Sequence, residues 1–428
     1  MQFAASATES PAATLVQPEC TQKVVVGIDF GTAYSGFAFA YKDVPDTIEA
    51  HAPGEASLKY SKCPTSLCIT ETGEEYFGFE AERQYAVITE ATEDGDGAGG
   101  ATKSAELFHK YKMDLKSTTS YTVTSESLSG DERPTMDLIV SSLRIIMRAA
   151  KEKILSGLGA ALDLQAKDYL WVLTVPAIWS PFGKSFMRKA AFKAGLIDDE
   201  QSDSLILALE PECAALSVHK GAKELNLLGP GSKYLILDCG GGTVDITAHE
   251  VMRVKPLKLH ETIPPEGGPW GAMEVNKAYR HFLKELFGEA IFSLLQKHLP
   301  KTFHDIMVEF EKKKRGDFSI KDNRYIYELA DVLGYLHDKP GSGYDGETTI
   351  QDLAHAYNER HPSAQIETSD RRFKRGKLLL SEELWKSFYK PTFCSIVAKT
   401  KDILHGRPEI KTIVVVGGFG ESPYLQER

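Results

Sequence analysis

A glycine-rich turn between two apolar runs is the feature of this sequence that most constrains the fold. Residues 233–250 read KYLILDCGGGTVDITAHE. Tyr234 to Leu237 predict a buried strand, and the β-branched residues after the turn predict a second one. Three consecutive glycines, Gly240 to Gly242, cost chain entropy. They therefore indicate either a turn with positive φ or a ligand in contact with bare backbone.

Phosphate is the ligand that best explains this turn. Because no Cβ atom is in the way, successive backbone N–H groups can converge on phosphate oxygens, and each charge-assisted hydrogen bond contributes about 1.5–3 kcal/mol. Asp238 and Asp245 flank the turn and would repel a phosphate unless a cation lay between them. Hydrated Mg²⁺, a hard cation that takes oxygen ligands and keeps several waters, meets that need.

A second segment has the same layout. Residues 24–41, VVVGIDFGTAYSGFAFAY, contain an apolar strand that ends near Asp29, then a turn with Gly31, then an alternating strand. When Asp29 is aligned with Asp238, Gly31 aligns with Gly240. Two matching hairpins predict two related half-domains that hold one polyphosphate from opposite sides.

The composition is typical of a soluble globular protein and argues against several functions. A chain of 428 residues with 42% hydrophobic content predicts two or three domains. The net charge of −10 argues against nucleic-acid binding, and no apolar run approaches the length of a membrane span. The first twenty residues lack the pattern of a secretory signal, and the six cysteines contain no C-x-x-C pair. A disordered lead-in and reduced thiols in the cytoplasm are the expectations.

The rest of the chain alternates predicted strands and helices, which indicates an α/β fold. Residues from Thr262 to about Asp370 are rich in Lys and Glu and predict an inserted helical lobe. The sequence ends inside a helix that begins at Ser422-Pro423, so we expect a C-terminally truncated chain. The other predicted elements are the helices Thr135–Leu158 and Glu382–Leu404, the helix between Ser180 and Gly195, and the strands Tyr169–Pro176, Leu205–Leu209 and Thr412–Val416.

Three charged side chains outside the hairpins are candidates for phosphate chemistry. Glu210 directly follows a predicted strand, where open α/β sheets place ligands, although a helix cap or a salt bridge explains it as well. Lys110 and Lys112 either reach a phosphate or lie on a solvated helix face, and for each alone the solvated face is favoured. The sequence has no P-loop and no G-x-S-x-G elbow, and the EDGDGAGG segment lacks the Glu of a calcium loop.

These segments resemble the nucleotide motifs of a known superfamily. GIDFGTAYS, LDCGGGTVD and VVVGGFGESPYLQ are similar to the phosphate-1, phosphate-2 and adenosine motifs of the actin, sugar-kinase and 70 kDa heat-shock ATPases. WVLTVPAIWSPFGKSFMRKAAFKAGL, ALEPECAA, GGPWG and FEKKKR resemble the divergent twelfth branch of the heat-shock family. The resemblance runs from about Val24 to the last residue.

The resemblance implies a two-lobed actin-like ATPase fold with a duplicated ribonuclease H-like core. A disordered segment, 1–22, would precede lobe I at 23–220, which carries an inserted subdomain at about 58–130. Lobe II would occupy 221–428 and carry an inserted helical subdomain at about 266–375.

The resemblance also implies residue roles toward ATP or ADP and Mg²⁺. Asp29 and Asp238 would hold the hydrated metal. The β and γ phosphates would be wrapped by Gly31, Thr32, Ala33 and Tyr34 from one lobe and by Gly240, Gly241, Gly242 and Thr243 from the other. Catalysis would involve Glu210, Asp245, Thr243 and Lys112, with Lys110 as the second candidate for the phosphate lysine. The remaining nucleotide contacts would come from Gly267, Gly268, Glu311, Lys314, Arg315, Gly417, Gly418 and Phe419.

Two departures from the family motifs favour slow hydrolysis. Ala33 stands where conventional members carry a second Thr, and Glu421 stands where they carry an Arg that stacks on adenine. The resemblance thus predicts a slow, chaperone-related cytoplasmic ATPase domain with opening and closing lobes and with co-chaperone or signalling proteins as partners. The alternatives are a nucleotide-dependent scaffold without useful hydrolysis, and a small-molecule kinase, whose general-base Asp is not evident in the sequence.

Overall fold

The structure is a computed structural model that describes most of the chain. It covers residues 22–54, 61–93, 105–116, 118–158, 164–225, 228–315, 325–326, 332–338, 342–344, 346–368 and 378–427. The segment predicted to be disordered, 1–22, lies outside the described residues except for Gln22, and so do residues 94–100 of the rejected calcium loop.

The first sheet is built around the hairpin at residues 24–41. Its strands are β1 (Val24–Phe30), β2 (Tyr34–Tyr41), β3 (Glu49–His51), β4 (Cys63–Pro64), β10 (Tyr169–Val175) and β11 (Leu205–Leu209). The order across the sheet is β11, β10, β1, β2, β3, and β4 also pairs with β2. β1 is antiparallel to β2 and parallel to β10, and β10 is parallel to β11, so β1, β10 and β11 end at one edge of the sheet.

The second sheet matches part of the first in strand order, without a counterpart of β11. Its strands are β12 (Lys233–Cys239), β13 (Val244–Val254), β14 (Leu257–Gly268) and β18 (Thr412–Val416), in the order β14, β13, β12, β18. β12 is antiparallel to β13 and parallel to β18. The triple-glycine turn therefore occupies the position in its sheet that residues 31–33 occupy in the first.

Helices connect and cover these sheets. They are α2 (Thr135–Leu158), α3 (Pro181–Ala194) and α4 (Glu210–Leu225). The Ser180 side chain caps α3 by accepting a hydrogen bond from the Gly183 N–H, and Gly195 ends the helix with φ +83°. Helix α4 contacts β10 and β11 of the first sheet and β12 and β13 of the second. Its first residue, Glu210, thus lies at the junction of the two sheets.

A small subdomain lies between β4 and α2. It contains β5 (Ser66–Thr70), β6 (Glu75–Phe77), α1 (Phe79–Glu93), β7 (Ala105–His109), a 3-10 helix (Tyr111–Leu115), β8 (Thr124–Glu126) and β9 (Glu132–Pro134). Strands β5, β6 and β7 form one sheet with β5 in the middle, and α1 packs on it.

A mostly helical region follows β14. It contains α5 (Ala272–His298), α6 (Pro300–Arg315), β15 (Tyr325–Ile326), α7 (Val332–Asp338), α8 (Ile350–Arg360), β16 (Ile366–Thr368) and β17 (Leu378–Leu380). Helix α9 (Glu382–Leu404) then leads to β18, and α10 (Pro423–Gln426) follows it. Aromatic rings fill its core: the Tyr279 and Phe310 rings are stacked with centroids 3.9 Å apart, and Phe388 packs edge-on against Tyr279. Within the described residues, no helix combines the length and the apolarity needed to cross a bilayer.

The sequence predicted several element bounds correctly and missed others. The predictions for α2, β11, α9 and β18 are confirmed residue for residue. In the region from Thr262 that the sequence predicts to be mostly helical, the residues up to Gly268 belong to β14, and the first helix, α5, begins at Ala272. Lys110 and Lys112 do not share a helix face, because the 3-10 helix begins at Tyr111. Lys110 adopts a left-handed conformation with φ +64°, which separates β7 from the 3-10 helix.

Candidate functional site

The turn between β1 and β2 is held in shape by Thr65. The Thr65 hydroxyl donates to the Gly31 carbonyl over 2.8 Å, and the Thr65 N–H donates to the Ala33 carbonyl over 2.9 Å. A Cβ atom at Gly31 would overlap the Tyr34 carbonyl, so this position requires glycine. Both contacts use carbonyl groups of the turn, and neither uses one of its N–H groups.

The turn between β12 and β13 is held by the first turn of α5. The N–H groups of Ala272 and Met273 donate to the carbonyls of Gly240 and Gly241 over 3.1 and 2.9 Å. Gly240 itself donates to the Thr243 carbonyl over 2.9 Å. In the described part of the chain, the backbone N–H groups of Gly241 and Gly242 make no backbone hydrogen bond. Two adjacent free N–H groups of this kind form an anion-binding concavity.

The two turns lie against each other. A Cβ atom built on Gly241 would come within 2.7 Å of the Ala33 methyl, and one on Gly242 would come within 3.0 Å of the Thr32 hydroxyl. A Cβ on Gly242 would also overlap the sulfur of Met113, which the Thr32 hydroxyl contacts at 3.6 Å. The structure thus brings together residues that are about 210 positions apart. Met113 was not among the residues that the sequence singled out.

Gly271 provides a test of this close packing. A methyl group at this position would come within 2.5 Å of the Gly241 carbonyl oxygen and 2.6 Å of the Gly242 carbonyl carbon, and backbone atoms cannot yield cheaply. We expect Gly271→Ala to lower the free energy of unfolding by about 2 kcal/mol, measured by denaturant titration. Gly229→Ala is the control, since a methyl there meets no atom within 4 Å. Equal stability of the two variants would contradict the contact.

Four carboxylates surround the junction of the turns: Asp29, Glu210, Asp238 and Asp245. Burial raises the pKa of Asp238 to about 7, with further contributions from the charges of Glu210, Asp245 and Asp29. Burial, followed by the charge of Glu210, raises the pKa of Asp245 to about 6. Both pKa values are raised because the carboxylates are partly desolvated and repel one another. A bound cation would reduce this repulsion.

Two lysines offset part of this negative charge. The Lys112 side chain is only 1% exposed, its Nζ lies 2.8 Å from Glu210 Oε1, and it lies 5.3 Å from the centre of the Trp179 ring. Lys110, by contrast, is exposed. The second lysine is Lys62, which was also missed from the sequence; its Nζ lies 2.5 Å from Asp29 Oδ2.

Asp29 also accepts a hydrogen bond from an uncharged side chain. Thr174 Oγ1 donates to Asp29 Oδ1 over 3.1 Å. Burial alone would raise the pKa of Asp29, but the charge of Lys62 and its hydrogen bond hold it below the usual range. Asp29 is therefore ionised at neutral pH.

Asp245 has an unused acceptor. The residue is 2% exposed, and its Oδ1 atom is buried without a hydrogen-bond partner among the described residues. An orphaned carboxylate oxygen is costly in a protein interior, and it is a position at which a water molecule or another donor would bind. Thr243, 7% exposed, supplies a hydrogen bond that lowers the Asp245 pKa.

The residues predicted to border adenosine fall into two groups. At the end of β18, Gly417 has φ +85° and packs against the Cys239 carbonyl, while a Cβ at Gly418 would meet open space. Phe419 is 4% exposed, donates its N–H to the Cys239 carbonyl over 3.0 Å and packs its ring against Phe393, so its side chain is part of the core.

On α6, the predicted adenosine residues join a network with α5. Lys314 Nζ donates to Glu311 Oε2 over 2.6 Å, to Asn276 Oδ1 over 2.8 Å and to the Ala272 carbonyl over 3.3 Å. Asn276 also donates to Glu311 Oε2 over 2.9 Å. The Arg315 side chain lies outside the described residues.

Gly267 and Gly268 lie in β14, where they pair with Asp245 and Val244. A Cβ at Gly267 would overlap the Val244 carbonyl. These glycines thus allow β14 to approach the strand that carries Asp245.

The donor set fits Mg²⁺. Across the described ranges, no three His, Cys, Asp or Glu side chains form a complete protein cage for a metal. Mg²⁺ does not need one, because it keeps several waters and is usually held by one or two carboxylates together with phosphate oxygens. Asp29 and Asp238, at the ends of β1 and β12, are suited to this form of binding.

Comparison with known proteins identifies relatives over nearly the whole chain. No family model matches the sequence. It is 28% identical over 471 residues to heat shock 70 kDa protein 12A of Mus musculus and 28% identical over 480 residues to heat shock 70 kDa protein 12B of Homo sapiens, covering 96% and 98% of this chain. It is also 25% identical over 405 residues to the chaperone protein DnaK of Thermotoga maritima, covering 95% of this chain and 54% of that protein.

The chain spans 66% of the length of each of those two 12A and 12B proteins. The strand order of the two sheets and the mixed α/β architecture agree with an actin-like ATPase fold. The chain is thus similar over nearly its whole length to heat shock 70 kDa proteins 12A and 12B.

Proposed function

We propose that this chain binds ATP and ADP with Mg²⁺ between its two glycine turns and hydrolyses ATP slowly. The observation that carries the proposal is the contact of the turns at residues 31–33 and 240–242 beside four carboxylates. Free backbone N–H groups attract phosphate oxygens, and the carboxylates attract the cation that accompanies them. The similarity to heat-shock proteins supports a nucleotide-binding domain of that type.

Asp29 and Asp238 would hold the metal through oxygen contacts or bound waters. When bound, Mg²⁺ would neutralise charge on the β and γ phosphates. The turn residues Gly31, Thr32, Ala33 and Tyr34 bind the phosphates from one side, and Gly240, Gly241, Gly242 and Thr243 bind them from the other. The four carboxylates carry more negative charge than Lys62 and Lys112 offset, which favours a divalent cation.

Hydrolysis in this proposal depends on positioning a water molecule. Phosphoryl transfer needs little covalent help from the protein and relies on orientation and charge stabilisation. The unpartnered Asp245 Oδ1 accepts a hydrogen bond from that water, and Glu210 orients it from the start of α4. Lys112, fixed by Glu210 and Trp179, stabilises negative charge on the phosphate oxygens.

The nucleoside would lie between the end of β18 and the α5–α6 network. Gly418 leaves room for a flat base, and Glu311 and Lys314 border it together with Arg315. The other predicted contacts would come from the backbone rather than from side chains, at Gly267, Gly268, Gly417 and Phe419. Glu421 is exposed and supplies no cation over the base, which favours weak stacking and slow turnover.

At the level of the whole molecule, the proposal treats the two sheets as a duplicated ribonuclease H-like core. Lobe I spans residues 23–220 and lobe II spans 221–428, with insertions at about 58–130 and 266–375. Nucleotide would draw the lobes together. A cytoplasmic, chaperone-related role with co-chaperone or signalling partners is part of the proposal.

Isothermal titration calorimetry with ADP and ATP, each with Mg²⁺ and with EDTA, tests the proposal. We expect binding of both nucleotides and a higher affinity when Mg²⁺ is present. Absence of heat and of thermal stabilisation with both nucleotides in both buffers would contradict the proposed function.

A nucleotide-dependent scaffold is the second candidate, because the methyl group of Ala33, rather than a hydroxyl, faces Gly241. Single-turnover hydrolysis of radiolabelled ATP distinguishes the two. Conversion to ADP within minutes to an hour supports the ATPase, whereas bound ATP that stays intact for many hours supports the scaffold.

A further inference from the structure

Lys62 occupies a place in the site that no sequence motif assigns. Its Nζ lies 2.5 Å from Asp29 Oδ2, and Asp29 is one of the two carboxylates proposed to hold the metal. The Lys62 and Asp29 side chains are 51% and 40% exposed, so both are accessible to a ligand. An ammonium group therefore lies on a carboxylate that the metal would use.

The backbone fixes Lys62 beside the first glycine turn. The next two residues form β4, which pairs with β2 so that Cys63 lies opposite Ser35 and Pro64 opposite Tyr34. Thr65 then binds the turn itself. The start of the Lys62 side chain packs along β2, where its Cγ lies within 3.1 Å of a Cβ built on Gly36. The pairing of β4 with β2 thus places the Lys62 side chain beside the carboxylates.

The surrounding charges distinguish Lys62 from an ordinary surface lysine. The negative charges of Asp29, Asp238 and Glu210 all act on its ammonium group. Lys62 is therefore close to three of the four carboxylates that surround the junction of the turns. An isolated surface ion pair contributes little, whereas a cation among several carboxylates changes what else can bind there.

We propose that Lys62 is an internal counter-ion that shares Asp29 with the metal, so that nucleotide binding depends only partly on Mg²⁺. The inference rests on the proposed nucleotide site. Without metal, Lys62 neutralises Asp29 and lowers the repulsion that an incoming polyphosphate meets. With metal bound, Asp29 would be neutralised by the ion, and the Lys62 ammonium group would donate to the phosphate oxygens instead.

The test compares Lys62→Met with a matched control. Lys23→Met removes a lysine of similar exposure, 53%, whose Nζ lies 3.2 Å from Asp168, away from the site. Lys62→Arg keeps the charge and serves as the conservative variant. Calorimetric titration with ADP is done on each variant, once with Mg²⁺ and once with EDTA.

We expect Lys62→Met to weaken ADP binding about tenfold in EDTA and less than threefold in Mg²⁺, because the metal replaces the lost charge only when it is present. Lys62→Arg is expected to stay within threefold of the wild type in both buffers, and Lys23→Met is expected to be unchanged. Equal losses with and without Mg²⁺ would overturn the inference, and so would no loss in either buffer.

A second measurement needs no nucleotide. If Lys62 competes with the metal for Asp29, then 10 mM MgCl₂ will raise the melting temperature of nucleotide-free Lys62→Met more than that of the wild type or of Lys23→Met. An equal rise in all three proteins would overturn the inference. Failure of the proposed function has a different signature, since the wild type would then bind ADP in neither buffer.

Discussion

Asp238→Asn is expected to make the nucleotide-free protein more stable and to remove most of the Mg²⁺ dependence of nucleotide binding. Partial burial, followed by the charges of Glu210, Asp245 and Asp29, raises the pKa of the Asp238 carboxyl group to about 7. A carboxyl group whose pKa is raised in the folded state binds its proton more tightly there than in the unfolded chain. Its contribution to stability is therefore complete below about pH 4 and is lost as the pH rises through about 7.

The asparagine side chain does not ionise, so Asp238→Asn does not lose this stability as the pH rises. At pH 8 we expect the free energy of unfolding of Asp238→Asn to exceed that of the wild type by about 2 kcal/mol, since one pKa unit corresponds to about 1.4 kcal/mol and solvent screens part of the shift. At pH 4 the two proteins should differ little. Denaturant titration at both pH values measures the difference.

Asp238→Asn should also bind nucleotide more weakly when Mg²⁺ is present. Removing a charge that faces the ion is expected to weaken Mg²⁺-dependent nucleotide binding about 100-fold and binding in EDTA much less. Asp168→Asn is the matched control. The Gln165 N–H and then Lys23 hold the pKa of Asp168 below its usual range, so its loss should lower the melting temperature and leave nucleotide affinity unchanged. A loss of affinity that is equal with and without Mg²⁺ would contradict a metal-binding role for Asp238.

Lys112→Met is expected to slow single-turnover ATP hydrolysis about 100-fold, the size of effect seen when one group that stabilises transition-state charge is removed. Lys112 is buried and is held by Glu210 at 2.8 Å, so methionine removes the charge while keeping most of the volume. ADP affinity should fall less than tenfold, because the group acts mainly on the transferred phosphate. Rapid-quench measurement of ADP formed from prebound ATP provides the rate.

Lys110→Met is the control for this variant. Lys110 is exposed and lies two residues away in a left-handed conformation, so its ammonium group is not held by Glu210. We expect its hydrolysis rate within twofold of the wild type. Equal rates for the Lys112 and Lys110 variants would show that neither lysine acts on phosphate. A melting curve of Lys112→Met checks folding, since Glu210 loses its cation and some stability is expected to be lost with it.

The hairpins were predictable from sequence because their signals are local. Each consists of an apolar strand, an Asp at its end and glycines that no other turn chemistry explains, all within 18 residues. The long helix α2 was equally clear, since apolar residues recur at helical spacing over its full length. The hairpins supply β1 and β2 of the first sheet and β12 and β13 of the second.

The parts that the sequence left open depend on contacts between distant residues. Lys62 reaches Asp29 only because β4 pairs with β2 after a long connection, and KYSKCPTSL contains no motif for it. Met113 enters the site from a 3-10 helix, 129 residues before the glycine that it contacts. The choice between Lys110 and Lys112 had no local signal either. The backbone conformation at Lys110 exposes one side chain and directs the other inward.

The hydrogen bonds between the first turn of α5 and the carbonyls of Gly240 and Gly241 have a mechanical consequence. The helix runs unbroken from Ala272 to the change of direction at Gly288, where φ is +73°. At 1.5 Å per residue this is a rod about 24 Å long that begins on the proposed phosphate-binding turn. A small displacement of that turn must tilt the whole rod, and with it α6, through Lys314 and Asn276. The far end of the rod would then travel farther than the turn that moved it, which would make α5 a lever between the proposed nucleotide site and the helical region.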